Sequence, residues 1–123
     1  MSKYLTNKTE VLAEATSFAS AINTKEVKLD NYQSAKVVIS TGEGDEAKAN
    51  AKVIAILPDT TEQEIKSQEI TIGANSVSEI DIVANEIAHY DATGFKISID
   101  AVADSTITGN IVVVLGEARY SEE

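Results

Sequence analysis

The chain has 123 residues and a mass of 13.1 kDa, the size of one domain, able to bury roughly two-thirds of its unfolded surface on folding without staples. Twenty acidic residues face ten basic ones, a formal net charge of −10, so the phosphate-neutralising surface that nucleic acid or an anionic membrane requires is missing. With no cysteine and a single histidine, there is no disulfide framework, no thiolate nucleophile and no set of imidazoles or thiolates for a zinc site.

Isoleucine and valine supply 25 residues, leucine 5 and threonine 11. β-Branched side chains lose rotamer freedom on a helix and fit a pleated, half-buried surface. The expectation is an all-β chain. Residues 1–14 read as an N-terminal arm, or as a short helix capped by Thr9, and residues 15–123 as one domain. Thr9 lacks the Glu or Gln three residues on that would complete a capping box, which favours an extended arm. If that arm docks on a larger assembly, deleting residues 1–10 weakens that binding and leaves the melting temperature nearly unchanged. The first ten residues carry no apolar core of a signal peptide, and no apolar run reaches the length of a membrane span.

Phe18 and Ile22 share one side of a loosely alternating segment. Asn23-Thr24-Lys25 reads as a turn, Val27 and Leu29 as a short strand, and Asp30-Asn31-Tyr32 as the next turn. Residues 35–41 alternate clearly, with Ala35, Val37 and Ile39 on one face. Residues 51–57 follow, with Ala51, Val53, Ala55 and Leu57 on one face. The two read as a hairpin joined by the acidic loop Gly42-Glu43-Gly44-Asp45-Glu46. Pro58-Asp59-Thr60-Thr61 is a turn. Residues 69–72 form a short strand, and residues 78–83 another, with Ile80 and Ile82 dry and Glu79 and Asp81 wet. A helical turn fits residues 84–90. Phe95, Ile97, Ile99, Ala101 and Ala103 share the face of the next strand. Residues 111–115 are apolar without interruption, the mark of a strand covered on both faces or central in a sheet beneath something else. The sum is an antiparallel β-sandwich, immunoglobulin-like or jelly-roll, of about eight strands.

Catalytic chemistry is sparse. His89 has no Gly-x-Ser-x-Gly elbow to serve. Glu43, Asp45 and Glu46 lack the spacing of a calcium loop, and Gly42-x-Gly44 is too short and too acidic to cradle phosphate. No pair among the twenty acids is singled out for glycoside hydrolysis. No catalytic, metal-binding or cofactor-binding residue is assigned, and no cofactor is expected. A β-sandwich offers sheet edges and apolar patches to partners, so the physics favours interaction over reaction.

Two segments carry a resemblance. Val27-Lys28-Leu29-Asp30-Asn31-Tyr32-Gln33-Ser34-Ala35-Lys36-Val37-Val38-Ile39 is similar to a pattern in small tailed-phage virion structural proteins of the capsid decoration or cement type: a short apolar pair, a turn ending in Gly-Tyr, a small residue and an apolar strand. Here Asn31 stands where that group often has glycine. Residues 95–120 match the group's ending, an alternating strand, a Thr/Gly turn, an Ile/Val strand and then Leu115-Gly116-Glu117-Ala118-Arg119-Tyr120. Ile87-Ala88-His89-Tyr90 sits where the group has a tyrosine-containing turn. The resemblance covers most of the chain from Val27 onward and leaves the first 26 residues uncovered. It implies a non-enzymatic virion protein on the outer surface of the head shell, present in the host cytoplasm during assembly. Its partners would be the major capsid protein or other virion proteins, with a homo-oligomer as one state. A tail or neck adaptor and a carbohydrate-binding sandwich are the rival readings.

Candidate partner-binding residues are Tyr4 and Leu5, apolar on a polar segment, and Arg119 and Tyr120, of types enriched where interfaces hold their energy. Arg119 and Tyr120 have an alternative role in closing the end of the sandwich, and Tyr32 reads as rim of the core.

Overall fold

Alternation of apolar and polar residues resolves into strands along nearly the whole chain. The structure, a computed structural model, describes residues 8–29, 32–88 and 92–118. Its elements are β1 (Lys8–Ser17), β2 (Ile22–Asn23), β3 (Val27–Lys28), β4 (Tyr32–Thr41), β5 (Ala47–Ile56), β6 (Glu62–Ile72), β7 (Val77–Val83), α1 (Ala84–Ala88), β8 (Gly94–Ile99) and β9 (Thr108–Ala118). One sheet has the order β1-β9-β4-β7. The second has the order β2-β8-β5-β6, with β3 also on β8. All pairings are antiparallel.

The registers show how this order arises. β1 pairs β9, β2 and β3 pair β8, β4 pairs β7, and β5 pairs β6. In every one of these pairings the two residue numbers add to between 117 and 125, as for Lys8 with Leu115 and Ile56 with Glu62. The chain is therefore one long hairpin with its tip at the turn after Ile56. That hairpin rolls up, laying β9 on β4 and β8 on β5. Both contacts keep a single register in which the residue numbers add to 150, as for Val38 with Val112 and Val53 with Ile97. Counting β2 and β3 as one interrupted strand, this is the eight-stranded jelly roll and not the immunoglobulin arrangement.

Between the sheets lies a core of isoleucine, valine and alanine, with Phe18 and Phe95 as its aromatic members. Val37, Ile39, Val53, Ile97, Ile111 and Val113 are each 0% exposed. Fully burying a side chain of this size stabilises by about 1.5–3 kcal/mol. Thr24 and Thr41 are the buried polar residues among those described, and Thr41 is 7% exposed. The Thr41 hydroxyl accepts a 2.9 Å bond from the Gly73 amide and donates to the Ser76 carbonyl at 3.2 Å, tying the end of β4 to the β6–β7 turn.

Several local expectations give way to tertiary pairing. Residues 35–41 and 51–57 are not a hairpin. β4 and β5 belong to opposite sheets, and the acidic loop between them is the crossover. Hairpin turns and sheet-crossing loops share the same glycine and acidic composition, so sequence does not separate them. Residues 8–14, read as arm or short helix, are most of β1, paired to β9 from Lys8 with Leu115 through Ala13 with Ile111. Asn23-Thr24-Lys25 does not reverse the chain. The Thr24 amide donates to the Ile97 carbonyl and the Ile97 amide to Thr24 Oγ1, each at 2.9 Å, so the hydroxyl completes the ladder between β2 and β3.

The strand expected at 69–72 begins at Glu62, because pairing with β5 carries polar Glu62, Gln63 and Glu64 into the sheet. β8 stops at Ile99, leaving Ala101 and Ala103 exposed. There the Val102 amide turns to the Phe18 carbonyl and the chain crosses to the other sheet. The helical turn is present as α1, where Glu86 accepts a 2.8 Å bond from the Val83 amide and Ile87 is buried.

Candidate functional site

Tyr4, Leu5, Arg119 and Tyr120, the expected partner-binding residues, lie outside the described residues, as do His89, Tyr90 and Asp91. Tyr32 opens β4 half-buried and packs on the core. Phe18 and Phe95 are fully buried, so none of the three described aromatics forms an exposed platform for a sugar ring. Glu43, Asp45 and Glu46 are exposed on the crossover loop, with Glu46 3.9 Å from Lys48. Among the described residues no group of three or more His, Cys, Asp or Glu side chains is placed to hold a metal ion.

The feature that sequence reasoning missed is on the outer face of the β1-β9-β4-β7 sheet. Alternation along β9 sends Ile111, Val113 and Leu115 inward, each 0% exposed, and leaves Val112 and Val114 half-exposed on the outside. β4 does the same with Val38. Register aligns Val11, Val112 and Val38 across three neighbouring strands, so an uninterrupted valine row crosses the sheet and ends at Glu79 of β7. The next row runs Thr9, Val114, Lys36, Asp81, and the one after it Gly116, Ser34, Val83. Val11 is 48% exposed. Lys36 lies 3.2 Å from Glu79 and 4.0 Å from Asp81, so the face's one described cation is shared by both carboxylates. Ser34 and Gly116 are small cross-strand neighbours, and over them opens a shallow depression of about 500 Å³ walled by Val83, Val114, Lys36 and Asp81. The signal was present in the sequence. Val37-Val38-Ile39 and the run from Ile111 to Leu115 are apolar on both faces of their strands, but only topology says that one face is left uncovered.

The opposite sheet contrasts with this. Its outward Ile54 sits between Lys96 and Glu64, and Ile56 beside Glu62. Lys96 bridges to Glu62 at 2.9 Å across that face. Every one of the eight described lysines has a carboxylate within 4.0 Å. Exposed pairs of this kind contribute about 0–1 kcal/mol each. Their consequence is electrostatic: the unbalanced charge of the described surface is negative, and beside the valine row Lys36 offsets only one of Glu79 and Asp81.

Both edges of the β1-β9-β4-β7 sheet, where a partner strand would add, are guarded. Along β7 the Gln68 side chain donates to the Glu79 carbonyl at 2.9 Å and Lys66 donates to the Asp81 carbonyl. These side chains from β6 occupy acceptors that an incoming strand would need. β1 departs from regular register between Val11 and Ala13 and again between Ala13 and Thr16, and Ala15 adopts φ 46°. Bulges and charged residues on an edge are devices against strand addition. On this sheet both edges are obstructed and the valine face is open.

No protein-family model matches the chain, and no curated protein matches it significantly. Solved structures share its fold at low identity. The SPBc2 prophage-derived protein YomS superposes with a TM-score of 0.57 at 12% identity, over 94% of this chain and 98% of that one. A protein from Sulfurospirillum deleyianum gives 0.53 at 10% identity, over 91% and 98%. At these identities the likeness is one of fold.

Proposed function

We propose that this chain is a non-enzymatic structural protein of a bacteriophage virion, a capsid decoration or cement protein that adheres to the outer surface of the head shell. The observation that carries the reading is the valine row Val11–Val112–Val38, an apolar strip on a strongly acidic, ion-paired surface. Scattered surface hydrophobes need no explanation, but aligned ones flanked by charge mark a protein-binding surface. The sequence resemblance to small virion proteins supports the phage assignment. The shared fold with a prophage-derived protein is consistent with it. A net charge of −10 keeps free copies apart before docking. On a shell, many equivalent weak contacts act together. The described aromatics are buried or packed on the core, so among the described residues the carbohydrate reading has no platform. A tail or neck adaptor would use the same face on a different assembly.

Co-sedimentation with emptied phage shells tests this. The protein is expected to pellet with assembled shells and not with isolated capsid subunits. Val112→Lys should weaken pelleting at least tenfold while shifting the melting temperature by a few degrees at most. Equal binding to isolated subunits, or full binding by Val112→Lys, would overturn the reading.

A further inference from the structure

We infer that β1 is a detachable strap: it opens from β9 as a unit, hinged at Phe18, while the rest of the sandwich stays folded, and in opening it bares the edge of β9. This does not depend on the virion reading. None of the ten residues of β1 is buried, whereas every other strand holds at least one buried residue. Cross-strand partners share a face of the sheet. Lys8, Glu10 and Ala13, paired with Leu115, Val113 and Ile111, therefore point inward, and two of these three are charged. Leu12 and Ala13 are the apolar side chains that β1 packs on the core, both partly buried. The ladder is interrupted as well. Its register shifts twice, and at Ala15, with φ 46°, the amide donates to Asn110 Oδ1 at 2.8 Å. A side chain holds that amide where regular pairing would use the β9 backbone.

The two flanks of the sandwich are closed differently. On the β6–β7 flank, Lys66 and Gln68, paired with inward Val53 and Ala51, donate to the Asp81 and Glu79 carbonyls, and Lys66 meets Glu86 of α1 at 3.0 Å. On the β1 flank, the polar link to the other sheet among the described residues is Glu10, 4.0 Å from Lys25 in the break between β2 and β3. Glu10 also lies 3.6 Å from Lys8 of its own strand. The Lys8 and Lys25 side chains are 51% and 64% exposed, so water screens both pairs and they hold the strand weakly. The anchor is Phe18. It is 0% exposed, its amide donates to the Ile107 carbonyl at 3.1 Å, and its carbonyl accepts from the Val102 amide at 2.9 Å. Detachment past this point would pull an aromatic ring out of the core, so opening frees Lys8–Ser17 and stops there. Open, β9 keeps its pairing with β4 and offers a bare edge, apolar on both faces from Ile111 to Leu115. Closed, the strap covers it.

Native-state hydrogen exchange, read residue by residue by NMR on the full chain, tests this. β9 is bonded to β1 on one side and to β4 on the other, so alternate amides of one strand report on each partner separately. The β1 amides bonded to β9, and the β9 amides bonded to β1, should exchange together, at least about a hundredfold faster than the β9 amides bonded to β4. The Phe18 amide should exchange with the slow set. The chain has no cysteine, and Val11 and Val112 are cross-strand neighbours. A Val11→Cys, Val112→Cys double variant should slow the fast set at least about tenfold when oxidised and restore it when reduced. Glu10→Val should slow it severalfold, because an apolar side chain then faces the core. The exchange pattern of the unaltered protein stands even if a variant fails to fold. One common rate on both sides of β9, rates that fall gradually inward from Lys8 as in simple fraying, a Phe18 amide in the fast set, or a fast set that the disulfide leaves unchanged would each overturn the strap.

Discussion

Thr41 shows how a single polar side chain can hold a turn in place. With the hydroxyl's contact to the Gly73 amide buried, Thr41→Val keeps the shape but strands that amide. A loss of about 1–3 kcal/mol in denaturant unfolding is expected. Gly73 itself has φ 85°, and a Cβ there would lie 2.6 Å from the Asp45 carbonyl oxygen. Gly73→Ala should therefore destabilise by more than about 1 kcal/mol, beyond the entropic gain that alanine brings elsewhere. Asp59, exposed in the Pro58–Thr61 turn, has its carboxyl held below the usual range. The main cause is the hydrogen bond from the Thr61 side chain, followed by that from the Thr61 amide. A depressed folded-state value means that the native protein binds fewer protons than the unfolded chain near pH 4. The small stabilisation is present above the unfolded value of about 3.9 and is lost as pH falls through the folded one. Asp59→Asn should lower the plateau above pH 5 slightly and converge with the parent protein at low pH, which flattens the acid limb of stability against pH.

At the scale of elements, β1 is where sequence reading and fold diverge most usefully. An arm separate from the domain could be removed with little effect. Lys8, Thr9 and Glu10 instead pair with Leu115, Val114 and Val113, and they help to shield one side of the central β9. Deleting residues 1–10 is therefore expected to lower the melting temperature, as calorimetry would show. An unchanged transition would return the segment to the status of an arm. On the other side of the sheet, Gln68→Ala frees the Glu79 carbonyl on the β7 edge. That variant should aggregate faster on mild heating, seen as earlier light scattering, with monomer stability altered by less than about 0.5 kcal/mol for an exposed site.

The whole molecule is a rolled hairpin, and that shape governs how it forms. The β5–β6 tip is local, whereas Lys8 meets Leu115 across nearly the entire chain. Non-local pairing must meet loop-closure entropy before contacts repay it, so refolding is expected in milliseconds to seconds. Destabilising substitutions near the tip should slow refolding, and those between β1 and β9 should mainly speed unfolding. Stopped-flow chevrons distinguish the two.

Alternation and β-branched content made the strands legible, because side-chain period and burial are local properties of a pleated chain. Ile80, Ile82, Ile97 and Ile99 could be assigned inward from neighbours alone. Partner choice between strands was not legible. Gly42–Glu46 reads equally as a hairpin tip and as a crossover, and the difference lies in which sheet the next strand joins. For the same reason the sequence marked residues 111–115 as apolar on both faces but could not say that Val112 and Val114 would look outward beside Val11 and Val38. Composition and period determined what kind of surface each strand carries. Tertiary pairing alone decided which of those surfaces ended up side by side and open to a partner.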